Sequence, residues 1–258
     1  MKFQRPIIMG IFLFFFGAFA GLSLAADKIS KEEALSKFIK ANFQYKDGHY
    51  DEAIQLYEDI LKGGLASGPL YYNLGNSYFQ KNVLGKSILN YDRARQMMPR
   101  DHDLKANYQY ASSLVKGQPA ENTQPVGQNF WEGFIGSFTP DELAFFAFIL
   151  ALATGILYLL SLYRVWDKKL SSRIVIPLLL LFLVFWTGFF SKLTREEDLA
   201  VVTAEAAAKF EPREDAPTYF DLAPGNRIKI LKNDGVWAKI KRLDGKEGWV
   251  LAVHMEKI

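Results

Sequence analysis

The sequence predicts a multidomain membrane protein: an all-α helical-repeat domain, a two-helix transmembrane hairpin and a small all-β barrel. Three observations predict it. Residues 34–101 contain a repeat that superimposes on itself at a shift of 34 residues, two long uncharged apolar runs occupy the middle of the chain, and short β-prone runs with tight turns end it. The 258 residues, half of them apolar, suffice for two small domains beside the apolar runs.

Residues 1–25 read as a secretory signal peptide. Lys2 and Arg5 precede an apolar run over 6–26, and Ser23, Leu24 and Ala25 supply small residues for cleavage after Ala25. The run also approaches the roughly 20 residues an uncleaved anchor needs. Either alternative exports the segment C-terminal to it, because the basic flank stays in the cytoplasm.

The next segment, 30–116, carries the repeat. Ser30 and Glu33 make a capping box at a helix start. At the 34-residue shift Ala41 falls on Gly75, Tyr45 on Phe79, Gly48 on Asn82, Ala53 on Ser87, Ile54 on Ile88, Tyr57 on Tyr91 and Ile60 on Ala94. The second copy reads Tyr71-x2-Leu74-Gly75-x2-Tyr78, with Ser87, Tyr91, Ala94 and Pro99 following. This period and pattern resemble the tetratricopeptide repeat (TPR). Repeats are expected over 34–67 and 68–101, with a capping helix over 103–116. The resemblance implies a grooved protein-binding surface lined by the first helix of each repeat. In this register the groove carries Phe38, Asn42, Tyr45 and Lys46 from the first copy, and Tyr72, Asn73, Asn76, Phe79 and Gln80 from the second, with Tyr110 joining from the cap. Tyr57, Tyr71, Tyr78 and Tyr91 read as packing residues. The third helix offers Ala106 and Tyr110 where a carboxylate clamp would need a basic pair, so a C-terminal carboxylate is not the expected ligand. Leu84-Gly85-Lys86-Ser87 mimics the end of a phosphate-binding loop, but Gln80 stands where its first glycine is required.

Residues 117–142 read as a linker ending in an interfacial segment, in which Phe130, Trp131, Phe134, Ile135 and Phe138 recur at helical spacing. Thr139-Pro140-Asp141-Glu142 is a second capping box, with proline at the first helical position. Residues 143–163 and 174–191 contain no charge and are long enough to cross about 30 Å of hydrocarbon. Neither has a polar face, and Pro177 falls in the first turn of the second, where its missing N–H costs little. The loop 164–173 carries Arg164, Lys168, Lys169 and Arg173 against Asp167, which predicts a cytoplasmic loop with both flanking segments on the other side. With no ionisable group at either centre, the pair reads as an anchor.

Beyond the second span, 192–258 changes period. Runs over 227–231, 236–241 and 248–250 are separated by Asn233-Asp234-Gly235 and Asp244-Gly245, both hairpin signals. Alternation puts Val236, Ala238 and Ile240 on one face of a strand, and Trp237, Lys239 and Lys241 on the other. The elements around Trp237 and Asp244-Gly245-x2-Gly248-Trp249-Val250 resemble a bacterial SH3-like (SH3b) barrel, although 207–222 is less typical. That resemblance implies peptide or glycopeptide binding, with Tyr219, Phe220, Trp237 and Trp249 as candidates; Trp249 is expected to plug the barrel.

The chain has no cysteine, which excludes disulfides and thiol catalysis, and His49, His102 and His254 form no metal-ligand spacing. No cofactor, metal, catalytic constellation or nucleic-acid partner is expected. The order of modules resembles the BatE family of the Bat aerotolerance operons. What this implies is a non-enzymatic bacterial inner-membrane protein with its TPR and SH3b modules in the periplasm. It would work with Bat proteins that carry von Willebrand factor A domains and with a MoxR-type ATPase system, in oxidative-stress tolerance or envelope maintenance. Two roles stay open: a scaffold holding partner proteins, or a cell-wall sensor whose SH3b module binds peptidoglycan.

Overall fold

The computed structural model describes residues 29–117, 131, 133–162, 168–196 and 199–258. The expected signal peptide, Phe130 with most of the linker, and loop residues Arg164 and Asp167 lie outside the described residues. The N-terminal region is five helices: α1 (Lys31–Lys46), α2 (Tyr50–Lys62), α3 (Gly68–Gln80), α4 (Leu84–Met97) and α5 (His102–Ser113). Side-chain caps start three of them. Ser30 Oγ accepts from the Glu33 N–H (3.1 Å), Ser67 Oγ from Leu70 (3.3 Å) and an Asp101 carboxylate oxygen from Leu104 (2.8 Å). The 34-residue shift reappears as geometry. Gly48 and its counterpart Asn82 both adopt left-handed backbone in the turn inside each helix pair, with φ of 82° and 60°. Ala53 and Ser87 are both fully buried where helices cross, and Ser87 Oγ donates to the Gly75 carbonyl at 2.9 Å.

Two helices then pack along each other, α6 (Pro140–Leu162) and α7 (Lys168–Glu196). Thr139 and Glu142 form the reciprocal capping box at the start of α6: Thr139 Oγ1 accepts from the Glu142 N–H at 3.2 Å, and the Glu142 carboxylate from the Thr139 N–H at 2.9 Å. Both helices are long and apolar enough to cross a membrane, over Pro140–Ser161 and Arg173–Thr194, and little of either is covered by the rest of the chain. Their mutual contact is aromatic, with Phe185 of α7 within 6 Å, ring to ring, of Phe138 and Phe146. Ile135, in a helical turn over 133–136, seats against Gly188. The second helix begins at Lys168, earlier than its uncharged run. Pro177 is therefore interior, and the Arg173 carbonyl loses its helical donor.

The chain ends in a seven-stranded antiparallel sheet: β1 (Leu199–Val202), β2 (Ala206–Lys209), β3 (Thr218–Leu222), β4 (Arg227–Asn233), β5 (Trp237–Arg242), β6 (Glu247–Leu251) and β7 (Met255–Lys257), in the order β3-β2-β6-β5-β4-β1-β7. All seven strands contribute to one core, from Ala200 and Val202 through Phe220, Ile228, Ile240 and Val250 to Met255, so the sheet curls around it. The hairpins β4–β5 and β5–β6 turn at Asn233-Asp234-Gly235 and Asp244-Gly245, with Gly235 and Gly245 left-handed. Val236 departs from the expected alternation. It precedes β5, within the turn, and is 67% exposed, while Ala238 and Ile240 point into the core.

β1 is buried on both faces. Ala200 and Val202 join the sheet core, whereas Val201 enters the core of the helical region beside Ile88, Leu89 and Tyr91. Around it, the Arg227 guanidinium lies 3.2 Å from the Asp92 carboxylate, both largely buried. Arg93 donates to the Lys257 carbonyl (2.6 Å) and Asn226 Nδ2 to the Lys116 carbonyl (3.2 Å). Gly85 makes the closest approach: a Cβ there would stand 2.8 Å from the Thr203 Cα and the Val202 carbonyl oxygen. Backbone cannot swing aside as a side chain can. Gly85→Ala is therefore expected to destabilise the detergent-solubilised chain by about 1–3 kcal/mol, read from its unfolding midpoint. Gly133→Ala, where a Cβ meets open space, is expected to stay within about 0.5 kcal/mol.

Candidate binding surfaces

The first surface lies on α1, α3 and α5. Its frame is a ladder of amides and phenols that repeats at the 34-residue shift. Asn42 Oδ1 accepts from the Tyr57 hydroxyl at 2.6 Å and from Asn73 Nδ2 at 2.9 Å. Asn76 Oδ1 accepts from the Tyr91 hydroxyl at 2.6 Å and from Asn107 Nδ2 at 3.1 Å, and Asn107 also donates to the Tyr72 hydroxyl. The asparagines thus join the two helices of a pair and the pair to the next helix. Their carbonyls are spent internally, and no hydrogen bond engages their Nδ2 groups among the described residues, so any contact with a partner is through N–H donors.

Aromatic pairs flank the ladder. Phe38 packs on Tyr57 (ring centroids 5.9 Å apart), Tyr45 on Tyr50 (5.5 Å), Tyr72 on Tyr91 (6.1 Å) and Phe79 on Tyr110 (5.7 Å). Lys46, Gln80 and Tyr110 are exposed, the last at 62%. Asn107 joins the ladder although it was not among the expected groove residues; it falls 34 residues after Asn73, so the repeat shift itself points to it. Also missed was an apolar stripe at i, i+4, i+8 on α1, where Leu35, Ile39 and Phe43 are exposed beside Asn42 and Lys46. The loop-like Gly85-Lys86-Ser87 is occupied with internal contacts: Lys86 Nζ lies over the Tyr78 ring and 3.9 Å from Glu58, and Ser87 bonds the backbone.

Burial pushes the Tyr57 hydroxyl up to about 12, with the Asn73 amide offsetting part of the effect. Burial also raises Tyr91, Tyr78 and Tyr72. Around Tyr78 the Glu58 carboxylate adds to the effect by accepting its proton and repelling the phenolate.

The second surface is the outer face of the sheet. Trp249 stands opposite Lys239 in the β5–β6 register and opposite Lys209 of β2, with Lys232 Nζ 5.8 Å from its ring centroid. It is half-buried on this outer face and does not plug the core, which is filled by smaller side chains. Trp237 is also half-buried, two residues along β5 from Lys239. Tyr219 is exposed and stacks on Phe210 at 4.6 Å, a partner the sequence did not single out. Phe220 points the other way. It is 8% exposed in the core beneath the Arg242 guanidinium, so of the four candidates it serves packing. Arg242 also donates two hydrogen bonds to Asp244, holding that carboxyl down at about 2 and pinning the β5–β6 turn. Between the helical region and β2–β3 lies an open cleft of about 550 Å³ bordered by Lys116, Glu205 and Asp221.

Residues 209–256, from the end of β2 into β7, match the family model of the bacterial SH3 domain. The C-terminal sheet therefore contains a bacterial SH3 domain, and β1 lies outside the matched span. No curated protein sequence matches the chain.

The phenol ladder should show in the pH dependence of stability. Tyr57 ionises at about 12 when folded, against an ordinary value of 10. The unfolded chain therefore gives up this proton first, and the stabilisation present below pH 10 is lost as pH rises towards 12. The unfolding midpoint is expected to fall across that window. Tyr57→Phe should flatten part of the fall while costing about 1 kcal/mol at neutral pH through the lost hydrogen bond to Asn42.

Proposed function

We propose that this protein is a non-enzymatic, membrane-anchored adaptor. The helical region acts as a TPR groove for a partner protein, and the bacterial SH3 domain provides a second recognition surface. The observation that carries the reading is the ladder of Asn42, Asn73, Asn76 and Asn107 with Tyr57 and Tyr91. It preorganises one face across α1, α3 and α5 and leaves aromatic rings and amide N–H donors for a ligand, the chemistry that interfaces favour. A rigid face loses little freedom on binding.

The modules bracket the α6–α7 hairpin in sequence and touch each other through Val201 and Asp92–Arg227, which supports their lying on one side of a membrane. The basic loop over 164–173 supports the cytoplasm as the other side. This arrangement fits the resemblance to the BatE family, with von Willebrand factor A-type Bat proteins and a MoxR-type ATPase system as partners in oxidative-stress tolerance or envelope maintenance. A photo-crosslinker in place of Tyr110, used in intact cells, is expected to capture a von Willebrand factor A-domain protein. Lys46→Ala with Gln80→Ala should lower recovery about tenfold, equivalent to roughly 1.4 kcal/mol, with no change in the unfolding midpoint. Failure to recover any such protein overturns the assignment of partners.

A second reading is favoured by the outer sheet face, where Trp237, Trp249 and Tyr219 lie among Lys209, Lys232 and Lys239: the SH3 domain holds peptidoglycan and the protein senses the cell wall. Retention of the full-length protein on purified sacculi, lost in Trp237→Ala, supports the sensor; equal retention of both removes Trp237 from the interaction.

A further inference from the structure

The tip of the β4–β5 hairpin combines exposure with an apolar surface. Leu231 is 41% exposed and Val236 67%, and Val253, 79% exposed, follows Ala252, whose N–H donates to the Val236 carbonyl at 2.9 Å. Lys232 is the cation among them, and Asp234 neutralises it at 2.9 Å. The tip is a small apolar knob with little net charge, whereas the tip of the β5–β6 hairpin, Asp244-Gly245-Lys246, is polar.

Two independent paths through the fold give the direction in which the knob points. β1 begins at Leu199, three residues after α7 ends at Glu196. β4 is antiparallel to β1, with Arg227 opposite Val201 and Lys229 opposite Leu199, so beyond Lys229 it continues past the end of β1 that lies nearer α7 in the chain. On the second path, α4 starts with Gly85 against Val202 and Thr203 and passes Asp92 beside Arg227. The chain then reaches Arg100, which donates to the Ser137 carbonyl (3.1 Å) and pairs with Glu142 (2.5 Å) at the start of α6. From the shared level of Asp92 and Arg227, α4 descends on the order of 8 Å at helical rise to its end at Met97, three residues before Arg100. The descent of β4 to Asn233 is on the order of 20 Å at strand rise. The hairpin tip therefore reaches at least to the level at which the apolar helices begin.

We propose that this tip, Leu231, Val236 and Val253, is seated in the interfacial layer of the bilayer that holds α6 and α7, so that the SH3 domain is fixed against the lipid by a second, non-covalent foot. The inference rests on the reading of α6 and α7 as membrane spans. Burial of aliphatic side chains at the boundary between headgroups and acyl chains drives the contact, and the Lys232–Asp234 pair stays at the headgroup level. It needs no anionic lipid, because Lys232 is already paired.

The chain has no cysteine, so a single reporter can be placed at will. Full-length Val236→Cys, Lys246→Cys and Leu180→Cys, each carrying an environment-sensitive fluorophore, would be reconstituted into phosphatidylcholine vesicles containing lipids with a nitroxide at shallow depth or deep in the acyl chain. Leu180 is exposed in the middle of α7 and reports whether that helix is in the bilayer. The proposal expects a blue shift and a loss of fluorescence to the shallow quencher at Val236, loss to the deep quencher at Leu180, and neither at Lys246. Loss at Leu180 without loss at Val236 overturns the lipid foot and leaves the spans standing. Absence of loss at Leu180 overturns the spans and the foot with them, and equal loss at Val236 and Lys246 overturns the assignment to this tip.

Discussion

The burial of β1 on both of its faces is the constraint on which the arrangement of this protein depends. A four-residue strand following a long apolar helix would ordinarily be an edge with one wet face. Here Ala200 and Val202 face the sheet core, while Val201 faces the helical region. Removing a valine side chain from water contributes about 1.5–3 kcal/mol, and a strand packed on both sides cannot slip by one residue without turning its small alanine towards the wrong core. This strand helps hold the two domains in register, together with the Arg93–Lys257 and Asn226–Lys116 hydrogen bonds. The buried Asp92–Arg227 pair lies in the same junction, where its geometry favours one docked orientation more than it adds net stability. Gly85 allows the approach, because only hydrogen fits between helix α4 and the backbone of Val202 and Thr203.

The ladder lies on α1, α3 and α5, whereas β1 docks chiefly against α4. At its lower end the helical region is tied to the apolar hairpin by Arg100, and Lys192 of α7 donates to the Phe138 carbonyl at 2.5 Å. The helical region thus meets both the hairpin and the sheet. The ladder face and the outer face of the sheet are thereby held in a fixed relation to each other.

Much of the local structure was legible because its causes are local. Ser30 and Thr139 cap helices within three residues of themselves, and the turns at Gly235 and Gly245 need only their own backbone freedom. The small residues Ala53 and Ser87 follow from the repeat, because two helices cross at the same place in each copy. Phe38, Tyr45, Tyr72, Phe79 and Tyr110 all sit on aromatic partners beside the ladder. The sequence could not show that Asn42 and Asn76 would spend their carbonyls on Tyr57, Asn73, Tyr91 and Asn107, since such bonds depend on the close approach of helices far apart in the chain.

By itself, then, the sequence determined what short-range periodicity and chemistry dictate: a 34-residue helical repeat, two apolar helices of bilayer length, hairpins with glycine turns, and the absence of thiol chemistry. Tertiary structure alone decided which side of each strand or helix finds a partner. Phe220 and Tyr219 are adjacent and both aromatic, yet one fills the core and the other lies exposed on Phe210, because the β2–β3 register fixes the faces. Trp249 lies outside the core, on the face it shares with Lys239 and Lys209. Val201 belongs to the helices although its neighbours belong to the sheet, because burial of apolar surface does not depend on sequence separation and is settled only when the domains meet.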